Sequence, residues 1–310
     1  MNNVSLRKTY GETLVELGGK HPEIVALEAD LGKSTMSILF GQAYPERYFQ
    51  MGIAEQNMAS TAAGLALVGK RPYMSTFAVF ASGRPYDQIR SSIAIPNLPV
   101  VICGSSAGLS DFGDGKTHQS IDDIGIMRIL PHMTVLCPCD AVETKKMMIA
   151  SLKSEGSVYI RICRADLPVL LDDKDEYHIG KMTQMRDGKD VVIFATGVMV
   201  GKSLEAAALL EQEGIRARVV NISTIKPLDT ASLKKYCNGM KGVVTAEEHN
   251  IYCGLGSAVA EALSASRLPI GMVAIHDSFG TSAKQYEELL TSYGLQPKNI
   301  IDKVKEVLSV

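Results

Sequence analysis

Two rhythms of apolar residues take turns along this chain. One recurs every three to four positions, as on a helix face. The other is a short unbroken apolar run, as in a strand buried on both sides. In the first half the helical rhythm predicts helices from Arg7 to Gly18, Gln56 to Val68 and Tyr86 to Ile95, and one capped by Asp140 running to about Ser154. Apolar runs predict strands at Ile24 to Glu28, Tyr73 to Phe77, Val100 to Cys103, Thr134 to Cys137 and Ser157 to Cys163. The segment Leu171 to His178 is polar and charged and reads as the start of a linker. Beyond it the alternation resumes, with strands at Val191 to Ala195, Ala217 to Ile222, Val243 to Glu247 and Met272 to His276. Helices fall between them at Gly201 to Gln212, Asp229 to Tyr236 and Gly256 to Ala265, and two more follow near Lys284 to Tyr293 and Ile300 to Leu308. Such alternation predicts an α/β fold of two parallel-sheet domains, residues 1–180 and 188–310.

A length of 310 residues suits two domains and a sizeable core. The net charge of −2 gives no pull toward nucleic acid or an anionic membrane, so neither is expected as a partner. No apolar run approaches a membrane span, and the opening MNNVSLRKTY lacks the apolar stretch of a secretory signal, so the expected location is the cytoplasm. The six cysteines contain no C-x-x-C pair and no zinc-like or disulfide-like spacing, and they read as buried thiols.

Four segments can carry chemistry. In Met51-Gly-Ile-Ala-Glu-Gln-Asn-Met58 a glutamate, Glu55, stands where a loop enters a small-residue helix. The helix dipole favours a carboxylate there, and apolar neighbours can desolvate it into a proton holder for a heterocycle nitrogen. Phe77 and Phe80 follow a strand directly and can either stack on a planar ring or fill the core. The loop Ser105 to Gln119 is rich in glycine and carries Asp114 and His118, a pair suited to hydrogen bonding and proton transfer on a polyol. Arg161 and Arg164 close a strand, where an arginine can grip a phosphate or pair on the surface with Asp166.

Taken in order, these segments resemble the transketolase family over essentially the whole chain. GIAEQNM is similar to its cofactor-activating glutamate motif, STFAVF to its pyrimidine-stacking segment and DGKTHQ to its substrate loop. ARVVNISTIKPLD and AEEHNIYCGLGSAVAE resemble its C-terminal domain. The resemblance implies a thiamine-diphosphate enzyme moving a two-carbon ketol unit from a ketose to an aldose. It implies that Glu55 hydrogen-bonds the pyrimidine N1′ and favours the imino tautomer, whose nitrogen takes the thiazolium C2 proton. Phe80 is then expected to stack on the pyrimidine with Phe77 in support, and Asp30 to lie beside the cofactor. Asp114 and His118 are expected on substrate hydroxyls, His118 counting with Glu55 as catalytic. Arg7, Ser34 and Arg164 fall on phosphate-contacting positions. Ser106 stands where the family usually has a histidine, a departure that weakens the phosphate assignment and points toward a specialised sugar; Gly83 stands where it has a further aromatic of the pyrimidine pocket, so a different pocket wall is expected. The family's GDG-type motif for metal and diphosphate is not found, and Gly113-Asp114-Gly115 lacks the asparagine that would make it one. The resemblance therefore implies a partner, a transketolase N-terminal subunit, holding Mg2+ (or Ca2+) and the diphosphate, with no metal on this chain. It further implies an α2β2 heterotetramer with sites at subunit interfaces, acting on sugar phosphates in carbohydrate metabolism such as the pentose phosphate interconversions. Rival readings are half of a deoxyxylulose-phosphate synthase, the β subunit of a 2-oxo acid dehydrogenase, and a non-catalytic regulatory homologue.

Overall fold

Burial on both faces accounts for the uniform apolar runs: Ile24–Glu28 and Val101–Ala107 are buried at every position. The computed structural model describes residues 3–174 and 176–309. Met1, Asn2, Asp175 and Val310, at the outer ends of the expected domains and inside the charged segment, lie outside the described residues. Seven strands make the first sheet, in the order Thr224–Lys226, Thr134–Leu136, Val158–Cys163, Val101–Ala107, Arg71–Phe77, Ile24–Glu28, Tyr48–Gln50. All neighbours are parallel except Thr224–Lys226, which runs antiparallel to Thr134–Leu136. A second sheet orders Ile270–Ile275, Gly242–Asn250, Val191–Ala195, Ala217–Asn221 and Thr183–Arg186, parallel except for the last. Asn3–Ser5 and Asp166–Pro168 form a separate antiparallel ladder.

Helix Leu6–Lys20 starts where Ser5 Oγ accepts the Lys8 N–H, and it buries Leu6, Tyr10, Leu14 and Leu17 along one face. Helix Glu55–Leu67 buries Met58 and four alanines, small side chains that let it lie close on the strand Arg71–Phe77. Among the described residues no helix is long and apolar enough to cross a membrane.

The structure departs from the sequence pattern in several places. Thr224–Lys226, which lies within the second half, adds a strand to the first sheet, and Ile225 packs into that sheet's core. Three residues are too few to show a periodicity. The charged segment is held at its ends: the Leu170 and Leu171 N–H groups donate to Asp140 Oδ2, both at 2.8 Å, and Tyr177 packs against the core. The expected helix from Tyr86 to Ile95 is one α turn, Tyr86–Gln88, followed by a π segment, Ile89–Ala94. The short helices Gly32–Thr35, Ile38–Ala43, Ala78–Gly83 and Asp123–Arg128 carry no pattern that the sequence reveals. Five cysteines are buried as expected, but Cys253 is exposed.

Candidate active site

The carboxyl ends of the parallel strands converge on one rim, where open α/β sheets place their ligands. Strand Ile24–Glu28 delivers Asp30 in a left-handed turn, φ 60°. Strand Arg71–Phe77 delivers Phe77 and, through helix Ala78–Gly83, Phe80 and Arg84. The loop after Val101–Ala107 brings His118, and helix Glu55–Leu67 begins at Glu55. Asp30, Leu31, Glu55, Phe80, Arg84 and His118 meet around a cavity of about 290 Å³. Larger hollows of about 560, 410 and 400 Å³ lie beside Tyr177, Leu167 and Leu171; no buried carboxylate lines the first two, and Glu143, which lines the third, is already held by the Cys139 N–H and Asn221 Nδ2.

Glu55 is 2% exposed and is the first residue of its helix, where the dipole favours negative charge. Its Oε1 accepts from Arg84 Nη1 at 2.9 Å. The same guanidinium lies 4.0 Å over the Phe80 ring, and Phe77 stacks near-parallel to Phe80, 6.1 Å away at 18°. His118 meets Phe80 edge-on at 5.3 Å and Phe77 at 6.1 Å, with Nδ1 2.9 Å from Thr117 Oγ1. Beneath this layer a latch holds the rim in shape. Gln50 Oε1 accepts the Asp30 and Gly52 N–H groups at 3.1 and 2.7 Å, and Gln50 Nε2 donates to Glu28. Glu28 in turn accepts the Leu31 N–H at 2.7 Å, and burial pushes its carboxyl pKa up. The latch ties the Asp30 turn to the segment that enters Glu55.

A second group sits toward the loop. Arg164 Nη1 donates to Asp111 Oδ1 at 2.8 Å and stands 3.9 Å from Asp114 Oδ2; its partner is not Asp166, the surface pairing the sequence allowed. Asp166 instead belongs to the ladder paired with Ser5. Arg7 Nη1 donates to the Ser34 carbonyl at 2.8 Å. Burial, and next the charge of Arg164, lower the Arg7 pKa. Burial pushes Asp111 up although Arg164 pulls it back. Ser106 is fully buried at φ 54°, and its hydroxyl has no hydrogen-bond partner, like those of Thr76 and Ser105 on the same strand ends. A non-glycine residue in that conformation is strained, and the buried hydroxyl is left without a protein partner.

Asp114 and His118 do not form the pair expected of them. The 3₁₀ turn Gly115–Thr117 stands between them, so Asp114 turns to Arg164 while His118 packs on the phenylalanines. The loop is also anchored to the second half. Leu109 N–H donates to Glu248 Oε1 at 2.8 Å and Gln119 Nε2 to the Thr281 carbonyl at 2.9 Å. At Gly108, φ 68°, any side chain would collide with the Glu248 carboxylate. Arg84, Asp111, Glu28 and Gln50 were missed in the sequence. Only Arg84 left a signal: it follows Phe80 by four residues, the spacing that stacks side chains on one helix face.

Against known proteins, the sequence profile of the transketolase pyrimidine binding domain matches residues 2–169, and that of the transketolase C-terminal domain matches residues 180–300. A Methanocaldococcus jannaschii protein bearing the name of a transketolase C-terminal section is 42% identical over 97% of this chain and 95% of its own. A 6-deoxy-6-sulfo-D-fructose transketolase subunit of a Clostridium species is 39% identical over 97% and 94%. A solved split-gene transketolase, described as an inactive β4 tetramer, superposes with a TM-score of 0.90 at 44% identity, covering 99% of both chains.

Proposed function

The chain belongs to the transketolase family, and from that premise we propose that it is the pyrimidine-binding and C-terminal half of a split transketolase. In this reading it transfers a two-carbon ketol unit from a ketose, probed first as a sugar phosphate, to an aldose. The observation that carries the reading is the rim cavity, where a buried carboxylate and an aromatic face already hold a flat cation between them. Those are the two contacts a thiamine pyrimidine needs, a carboxyl for N1′ and a ring to stack on, so the residues fit the cofactor. Bound there, thiamine diphosphate supplies a nucleophilic carbon that can carry a ketol unit. Glu55 exchanges a proton with N1′, Phe80 stacks on the ring, Phe77 backs Phe80, and Asp30 closes the cofactor side. His118, braced by both phenylalanines, points a ring nitrogen at substrate hydroxyls, and Asp114 contributes from the Arg164 side.

Arg164 and Arg7 hold the sugar's phosphate, with the Ser34 segment alongside and the orphaned Ser106 hydroxyl as a further donor. Asp111 lies on Arg164 and competes with that phosphate, so the grip is tuned rather than maximal. An N-terminal-half partner contributes the Mg2+ (or Ca2+) and diphosphate site in a cytoplasmic α2β2 assembly. A similar chain described as an inactive tetramer of β subunits supports the dependence on a partner. The division into units 1–180 and 188–310 belongs to the same reading.

The test is reconstitution with the partner subunit, thiamine diphosphate and magnesium, followed by a donor–acceptor screen with phosphorylated and free sugars and with pyruvate. Ketol transfer by the pair and none by the single chain is expected. Arg164→Ala should raise KM for phosphorylated sugars much more than for free ones. Full activity of the single chain, or turnover of pyruvate in place of ketoses, overturns the reading.

A further inference from the structure

Arg84 lines the rim cavity between Glu55 and Phe80, and the chemistry above does not use it. Its guanidinium makes a charge-assisted hydrogen bond to Glu55 at 2.9 Å and lies over Phe80 at 4.0 Å. A guanidinium is flat, cationic and donates in its own plane. A pyrimidine ring protonated at N1′ is flat, cationic and donates in its own plane. The two groups ask for the same carboxylate and the same aromatic face, and one face of Phe80 cannot take both.

We propose that Arg84 is a stand-in for the cofactor's pyrimidine: in the cofactor-free chain it fills the berth between Glu55 and Phe80, and it must swing out before the ring can enter. This rests on the assignment of Glu55 and Phe80 to the pyrimidine. The structure makes the exchange feasible. The Arg84 side chain is 43% exposed whereas that of Glu55 is 2% exposed, so the cation has a way to solvent and the acid does not. Arg84 sits at the end of the six-residue helix Ala78–Gly83, and a Cβ built on the preceding Gly83 meets nothing within 4 Å, so there is open space beside its backbone. The stand-in keeps a buried carboxylate paired and an aromatic face covered while the site is open. It also lowers the apparent affinity for the ring by the fraction of chains in which Arg84 is out.

The experiment is a ligand-observed NMR titration of the purified full chain with 4-amino-2-methylpyrimidine and with thiamine diphosphate. Arg84→Ala and Arg84→Gln are compared with the natural chain, and their folding is checked by circular dichroism. Both variants should bind the pyrimidine more tightly, roughly tenfold if the filled form is about nine-tenths populated. Tightening of the same factor for thiamine diphosphate is also expected, because Arg84 contests only the ring. Unchanged or weaker binding in both variants overturns the proposal and makes Arg84 a structural or ligand-holding residue. Phe80→Ala is the separate control. It should weaken pyrimidine binding whether or not Arg84 is present, and if it does not, the site assignment fails, independently of the Arg84 result.

Discussion

Two carboxylate–arginine pairs in this molecule use the same chemistry to opposite ends. At the rim, Glu55 holds Arg84 by one hydrogen bond, and the arginine is 43% exposed. Between the two sheets, Asp123 holds Arg161, which is 5% exposed and committed on several sides. Arg161 Nε donates to both Asp123 oxygens at 3.1 and 3.0 Å, and Nη2 donates to the Ser120 and Glu248 carbonyls at 3.2 and 2.8 Å. Tyr159 OH donates to Asp123 Oδ2 at 2.8 Å, and Tyr286 OH to Glu248 Oε1 at 2.7 Å. The difference lies in the second set of partners. Where the protein satisfies both ions from all sides, the pair ties residues from both halves of the chain and cannot be exchanged. Where solvent satisfies half of the cation, the pair can open and its carboxylate can serve a ligand.

The largest effect that separates the two is on folding. Arg161→Met leaves Asp123 buried without its cation, and breaking such a pair costs about 3–5 kcal/mol. Chemical denaturation should show that loss. Arg84→Ala should show less: it too leaves a buried carboxylate, Glu55, without its cation, but Glu55 borders the rim cavity and begins a helix, whose dipole favours its charge. Equal losses would mean that the rim pair is as locked as the interior one. Next comes Glu55→Gln in the assembled enzyme. It keeps the shape and a hydrogen bond but cannot exchange a proton, so the rate should fall by at least about a hundredfold while cofactor binding stays within a modest factor. Exchange of the cofactor's C2 proton, read by quenched flow and NMR, checks this, and near-natural exchange removes Glu55 from its role.

The smallest effect is a pH dependence. Burial pushes the Glu248 pKa up from 4.5 to about 7, against the pull of Arg161 and of the Tyr286 and Leu109 hydrogen bonds. A raised carboxyl binds its proton more tightly in the folded chain than in the unfolded one. Its contribution is full below about pH 4.5 and is lost as pH rises through about 7, a span on the order of 3 kcal/mol at most. Melting temperatures across pH 5–8 should fall for the natural chain and fall less steeply for Glu248→Gln. Some slope remains, because burial also raises Glu143 and Glu247. An identical slope in both proteins would show that Glu248 does not titrate there.

The sequence by itself determined the elements whose signal is local. Ile24–Glu28 and Val191–Ala195 stand where the apolar runs put them, because a strand buried on both faces must be apolar throughout. Helix Leu6–Lys20 follows its cap and its apolar spacing. Glu55, Phe77 and Phe80 were legible as candidates because they stand at a helix start or follow a strand directly, and His118 because it lies with Asp114 in a glycine-rich loop, whereas Asp30 was legible only through the family resemblance. Tertiary structure alone decided who faces whom. It brought Thr224–Lys226 across into the first sheet, since three residues pair by proximity and not by pattern. It turned Asp114 to Arg164 and away from His118, and it set Asp111, 53 residues earlier in the chain, on the same arginine. It also set Arg84, whose place over Phe80 the four-residue spacing allows, onto Glu55, 29 residues away in sequence. Partnerships between charged groups depend on distance in space and on access to water, and neither is written in the spacing of residues along a chain.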